Sequence, residues 1–220
     1  GLEAALPLLG TSFDVTLGPT RELQGTVELS DGRLRAEDVS IATQTVRPGS
    51  FAVPELGTLE LTQPLLLSGI RARVELPLAD PLGFIGQVTV DGALAERARL
   101  KALGCEAELR LALQHLELTQ AEDRTRKLAI DCVEVDEVMA ATPYGHLLVG
   151  QVVLRGLAVT LAADGSLELR CERVQLDSLE LRAKDLDALV ERVTLLDLRH
   201  AAGHTTVEGL TVGAVTLEAR

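Results

Sequence analysis

Two histidines near the end of the chain, His200 and His204, are four residues apart. On a helix, that spacing would place both imidazoles on one face, where they could bind one metal ion. Gly203 lies between them and argues against a helix. No cysteine or acidic residue stands at a suitable spacing to complete the ligand set. The sequence therefore predicts an exposed loop here and no metal site.

Carboxylates at Glu134, Asp136 and Glu137 are the best candidates for acid and base chemistry. However, Glu134 and Asp136 alternate with Val133 and Val135. In a strand, this alternation places the two carboxylates on the polar side and the two valines on the other. A solvated charged face explains these residues, so we predict no catalytic role for them.

The motifs that usually organise catalytic or cofactor sites are absent. The sequence contains no GxSxG, GxxxxGK[ST], GxGxxG or HExxH pattern and no EF-hand spacing. Nucleophile-elbow, phosphate-loop, dinucleotide, zinc-protease and calcium interpretations therefore lack their starting points. We expect a protein that is not an enzyme and that has no cofactor.

Composition and charge exclude several classes of partner. The chain of 220 residues is 46% hydrophobic and 25% charged, as in ordinary globular proteins, but its aromatic content is 2%. Its net charge of -12 repels phosphate backbones, so we expect no nucleic-acid partner. No apolar run approaches the roughly 20 residues of a transmembrane helix. The absence of Asn and the scarcity of Lys suggest a GC-rich bacterial genome.

Three cysteines, Cys105, Cys132 and Cys171, are odd in number and widely separated. This pattern fits neither a disulfide framework nor a CxxC metal or redox site. Each continues the parity of nearby apolar residues; Cys132, for example, follows Leu128 and Ile130. We predict buried free thiols, with one disulfide as the alternative.

Apolar and polar residues alternate from end to end, which is typical of β-strands with one buried face. The Asp-Gly pair at 31–32 stands between two such runs and predicts a two-residue hairpin turn. This turn places Leu29 opposite Leu34 and Val27 opposite Ala36. The apolar residues of both strands then share one face.

A second Asp-Gly pair, at 164–165, predicts a three-residue loop that includes Ala163. This loop places Leu161 opposite Leu167 and gives Gly165 the left-handed position, whereas a two-residue turn would mix the faces. From 167 to 217 the parity of the apolar residues flips repeatedly. Each flip requires a turn or a bulge.

Three segments are less regular. The pair Asp91-Gly92 predicts a further hairpin, although its register is not fixed by the pattern. Helix-forming residues and helical spacing near 184–192 predict one short helix. A second short helix is predicted at 95–103, where Ala, Glu, Arg and Leu precede Gly104.

The fold class is therefore mainly β, with on the order of a dozen antiparallel strands. We predict a single β domain over residues 1–220, which is also compatible with a piece of a longer chain because the first residue is Gly1. So large an amphipathic sheet must curl, split or pack on itself. It forms either a groove with an aliphatic wall or a filled sandwich.

In the groove arrangement, the aliphatic residues would bind an apolar ligand such as an acyl chain. The expected ligand-binding residues are Leu157, Val159, Leu161, Leu167, Leu169, Val174, Leu176, Leu179, Leu181, Val193 and Leu195.

Repeated phrases with few aromatic residues occur at 154–161, 173–186 and 207–217. In these phrases the chain resembles the AsmA-like and related bridge-like lipid-transfer proteins, repetitive β-groove families of the bacterial envelope. The resemblance covers the final third of the chain best. It implies a periplasmic, membrane-associated protein that shelters lipid tails, and it supplies no catalytic motif. The unpaired cysteines and the missing anchor keep a cytoplasmic location open.

Two functions follow as expectations. The first is binding of a lipid or another apolar ligand in a β-sheet groove, serving lipid transfer or envelope maintenance. The alternative is a structural or assembly module that self-associates, or that docks neighbouring domains, through its sheet.

Overall fold

The computed structural model describes residues 3–5, 14–53, 57–79, 83–102, 105–142, 145–183 and 186–219. These residues form a 15-stranded antiparallel sheet and contain no helix. The strands are β1 Glu3–Ala5, β2 Asp14–Ser30, β3 Arg33–Val46, β4 Gly49–Val53, β5 Gly57–Leu61, β6 Leu65–Pro77, β7 Ile85–Ala102, β8 Cys105–Gln120, β9 Arg126–Thr142, β10 Gly145–Leu161, β11 Leu167–Ala183, β12 Leu186–Ala201, β13 His204–Thr206, β14 Gly209–Val212 and β15 Val215–Ala219.

Neighbours in the sheet mostly follow the order of the chain. From β6 to β12 each strand pairs with the next one, and β1, β2 and β3 continue the sheet on the other side of β6. The short β4–β5 pair extends the sheet beyond the first residue of β6, because β5 pairs with residues 98–101 of β7. Strands β13, β14 and β15 all pair with β12 and together form one interrupted strand.

Both fixed hairpin registers predicted from the sequence are confirmed. Leu29 pairs with Leu34 across the turn at 31–32. Leu161 pairs with Leu167, and Gly165 has a φ of 85° as the left-handed residue of its loop. The loop closes where the N–H of Gly165 donates to the carbonyl of Ala162.

The three irregular segments differ from the prediction. Asp91-Gly92 lies inside β7, where Gly92 pairs with Ser68 on one side and Gln114 on the other. The described parts of both predicted helices, 95–102 and 186–192, are also strand. Both helix predictions are wrong because each segment has strand partners on its two sides, and sheet pairing outweighs a weak helix propensity.

The sheet is a single layer in the described part of the chain. A sandwich would fully bury large aliphatic side chains between two packed sheets, yet none of the described large side chains is fully buried. The most buried cluster is small and consists of Leu61, Ala95, Ala98 and Leu109, where β5 meets β7 and β8. Most other aliphatic side chains are half-buried.

Candidate functional site

Nine long strands each contain a residue that is skipped in the strand pairing at a matching position, and these residues form a line across the sheet. They lie in β2, β3 and β6 to β12, and the pairs on both sides of each keep a constant register. We call this line the crease. Its members are Glu22, Ala42, Gly69, Asp91, His115, Asp131, Gly156, Glu172 and Asp197.

Left-handed backbone occurs in alternate strands along the crease. The φ angles are 54° at Glu22, 60° at Gly69, 48° at His115, 61° at Gly156 and 47° at Asp197. A left-handed residue interrupts the alternation of side chains between the two faces of a strand. The crease therefore lets the parity of the apolar residues flip inside a strand while one face stays apolar.

Strand β10 illustrates this effect. Leu154 and Leu157 are three residues apart, yet each pairs with aliphatic residues in β9, Val133 and Ile130 respectively. A second, shorter crease crosses β9 to β12 at residues 137, 150, 178 and 191, with a φ of 56° at Ser178. The parity flips in the sequence thus come from in-strand irregularities rather than from chain reversals.

The two creases organise an apolar face that spans the sheet. On one side of the first crease, nine strands contribute one apolar residue each to a row, and these residues are Leu23, Ile41, Ile70, Val90, Leu116, Ile130, Leu157, Cys171 and Leu198. Between the creases lie two further rows. Their members are Leu113, Val133, Leu154, Val174, Leu195 and Leu210, and Leu111, Val135, Val152, Leu176, Val193 and Val212.

The register places all eleven predicted ligand-binding residues on this apolar face. Five lie beyond the first crease, four lie between the creases, and Leu179 and Leu181 lie beyond the second. Val159 is 7% exposed and Leu167 is 41% exposed, and the others are half-buried. The face is therefore partly accessible to solvent.

The sequence analysis did not predict the crease, nor that β2, β3 and β6 to β9 contribute residues to the apolar face. A usable signal was present, because pairs of apolar residues three apart recur from strand to strand. Examples are Val90 with Ala93 and Leu113 with Leu116. Each pair brackets two residues, one of which lies in the crease.

The opposite, polar face carries a network of ion pairs. Arg110 Nε lies 3.0 Å from Glu96 and its Nη1 lies 3.2 Å from Asp136, which also accepts a hydrogen bond from Gln151. These contacts span neighbouring strands, as cross-strand charge pairs do. The candidate acid and base residue Asp136 is therefore part of this network of ion pairs.

Two carboxylates of the polar face have shifted acidities. Hydrogen bonds from Arg33 and Arg35 hold the pKa of Glu75 below its usual value. Hydrogen bonds from Arg192 and Gln175 likewise lower the pKa of Asp177. Both lowered pKa values reflect stabilisation of the ionised carboxylate, as expected for a structural ion pair.

The two histidines are in strands rather than in a loop. His200 belongs to β12 and His204 begins β13, across a tight turn. His200 Nδ1 lies 2.7 Å from Thr205 Oγ1. In the described ranges, no three His, Cys, Asp or Glu side chains come together as a metal-binding group.

Cys132 and Cys171 are buried free thiols, as predicted. Cys171 lies in the apolar row with 2% exposure, and desolvation raises its pKa. Cys132 lies beyond Asp131 of the crease, opposite Arg155, and its sulfur is 3.8 Å from Glu134. It therefore belongs to the polar face, and the prediction that it extends the preceding apolar run is wrong. The side chain of Cys105 is outside the described part.

Comparisons with protein-family models, with curated proteins and with solved structures find no match for this chain. None of the described residues forms a helix long and apolar enough to cross a membrane.

Proposed function

We propose that this chain binds lipid acyl chains or another apolar ligand along its apolar face, without catalysing a reaction. The observation that carries the proposal is the unbroken row of nine apolar side chains beside the first crease, flanked by two further rows between the creases. Proteins rarely leave so large an aliphatic surface partly exposed to solvent unless it binds something.

The dimensions of the face support an acyl chain as the ligand. Nine strands about 4.8 Å apart span about 38 Å from first to last. One leaflet of a bilayer is about 15 Å thick in its hydrocarbon part, so a lipid tail fits within the row. The aliphatic side chains offer dispersion contacts without hydrogen bonds, which suits a ligand that has no polar groups along its length.

The charges of the protein are compatible with this role. The ion pairs lie on the polar face, so that face can remain in water while the apolar face holds the ligand. The resemblance to the β-groove lipid-transfer families supports lipid transfer or envelope maintenance in the bacterial periplasm as the physiological setting.

The proposal is tested by the lipid content of the purified protein and by a matched pair of variants. Native mass spectrometry of the purified chain should detect co-purified lipid. Leu176 pairs with Val152 and Val193 on the apolar face, whereas the adjacent Gln175 lies on the polar face. Leu176→Arg should weaken binding of a fluorescent fatty acid by about tenfold or more, because it places an unpaired charge against the ligand.

Gln175→Arg is the control, since it adds the same charge one residue away. It should leave the affinity unchanged. Consistently empty protein, or equal effects of the two substitutions, would contradict the proposal.

A second candidate function is that of an assembly module. The specific observation in its favour is the exposed outer edge of β13, β14 and β15, where Leu210 is 64% exposed and Leu217 is 63% exposed.

A further inference from the structure

The outer edge of β13–β15 offers an unpaired strand. These three strands pair with β12 on one side, and on the other side they have no strand partner among the described residues. Their side chains are exposed, including Val212 at 50% and Val215 at 53%. Free backbone groups in such an edge form a template for another strand.

This edge has little of the protection that usually prevents pairing, since Glu208 and Glu218 are its only charged side chains. Residues 204–219 contain no Lys, Arg or Pro, and they are rich in Thr and Val. Charged side chains and proline are the usual protection of an edge strand. By contrast, β2 carries Pro19, Arg21 and Glu22.

The two breaks of this interrupted strand are placed symmetrically. Glu208 lies in the first break and continues the first crease, since its N–H donates to the carbonyl of Leu196 beside Asp197. Ala214 continues the second crease, because its carbonyl accepts from the N–H of Glu191. Glu208 and Ala214 are each three residues from Thr211.

An antiparallel pairing of this edge with itself, centred on Thr211, is therefore self-complementary. It aligns the first break of one copy with the second break of the other. On the apolar face it places Leu210 opposite Val212 and Val207 opposite Val215. A register shifted by one residue would set apolar side chains against polar ones.

The polar side chains at the two ends also fit this register. It places His204 of each copy opposite Glu218 of the other, so that a histidine faces a carboxylate at both ends of the pairing. An interface with a two-fold axis repeats each contact twice.

We propose that two copies of this chain associate through the outer edge of β13–β15, in antiparallel register centred on Thr211, and so join their apolar faces into one. The association does not depend on whether the apolar face binds lipid.

Sedimentation velocity and light scattering of the full chain, from nanomolar to high micromolar concentration, test the association. We expect a closed dimer that dissociates on dilution. His204→Glu places two carboxylates opposite each other at both ends and should raise the dissociation constant about tenfold. Adding Glu218→Lys to His204→Glu places opposite charges at both ends and should return the dissociation constant at least to that of the unmodified chain.

Gln24→Glu is the matched control, because Gln24 is an exposed polar residue of β2 at the other side of the sheet. It should not change the dissociation constant. Circular dichroism checks that each variant keeps its β structure. Thr211→Cys should form a disulfide-linked dimer upon mild oxidation, since the two copies of this residue face each other. A strict monomer, an open-ended polymer or a dimer unaffected by His204→Glu would overturn the proposal.

Discussion

The middle of the sheet and its last edge have the same kind of sequence but different environments. Both alternate aliphatic with polar residues. Ile130 in β9 is 7% exposed, whereas Leu217 in β15 is 63% exposed. The difference arises because β9 has a long neighbour on each side, while β15 has one partner strand among the described residues. Alternation in a sequence thus identifies a strand face but does not tell how far that face is covered.

Backbone crowding should differ most between the two regions. Gly86 of β7 has a φ of 139°, and an added Cβ would lie 2.1 Å from the carbonyl oxygen of Arg73. Gly203, in the turn before β13, has a φ of 75° and open space around it. We expect Gly86→Ala to lower the free energy of unfolding by about 3 kcal/mol and Gly203→Ala by about 1 kcal/mol.

Urea denaturation of the two variants measures this difference. Equal losses of stability would mean that the middle of the sheet is no more constrained than its edge.

The next-largest difference between the two regions should be the loss of stability when an aliphatic side chain is removed. Ile130→Ala deletes a buried side chain of the apolar row and should cost about 2 kcal/mol, the low end for such substitutions because the sheet is one layer thick. Leu217→Ala should cost less than about 0.5 kcal/mol, because this side chain is exposed. Both values come from chemical denaturation at a concentration where the chain is monomeric. A large loss for Leu217→Ala would instead place this side chain in a packed environment.

Two turns elsewhere in the sheet show where sequence reasoning succeeds. The pairs Asp31-Gly32 and Asp164-Gly165 gave correct registers, because local turn chemistry and the apolar faces of the flanking strands agree there. The same dipeptide failed at Asp91-Gly92. Asp91 lies in the crease between Gly69 and His115. Here a dipeptide that usually forms a turn instead forms an irregularity inside a strand. That use depends on neighbouring strands, which a local pattern does not contain.

The candidate site was predictable to a similar extent. All eleven predicted residues lie on one face, since parity within each run is a local property. The line of nine crease residues was not predicted, because it becomes visible when the strands are aligned in register. The helix predicted near 184–192 failed for a related reason. In β12, Val190 pairs with Leu179 on one side and Val215 on the other, and this pairing is non-local.

Acid should weaken the ion pair of Asp177 in β11. Hydrogen bonds from Arg192 and Gln175 lower the pKa of Asp177 in the folded protein. The carboxylate therefore contributes stability above its unfolded pKa, and this contribution is lost as the pH falls through the lower folded value. Asp177→Asn should reduce stability at neutral pH and flatten the loss of stability below about pH 5. Denaturation curves over this pH range measure it, and an unchanged slope would contradict the assignment.

The smallest effect concerns arginines that face each other. Arg155 and Arg173 pair directly across β10 and β11, and neither forms an ion pair in the described part of the chain. Like charges at opposed positions destabilise a sheet, so Arg173→Glu should raise the free energy of unfolding by roughly 0.5 kcal/mol.

Nearer the edge, Arg199 opposes Arg170, which lies 3.4 Å from Asp197, and Arg199 itself lies 3.8 Å from Glu208 in the segment between β13 and β14. Arg199→Glu replaces a repulsion by Arg170 with an attraction and replaces an attraction to Glu208 with a repulsion, so its net effect should be close to zero. Thermal denaturation of both variants measures the contrast. A gain in stability for Arg199→Glu equal to that of Arg173→Glu would show that Glu208 does not stabilise the edge, because the loss of its ion pair would then carry no cost.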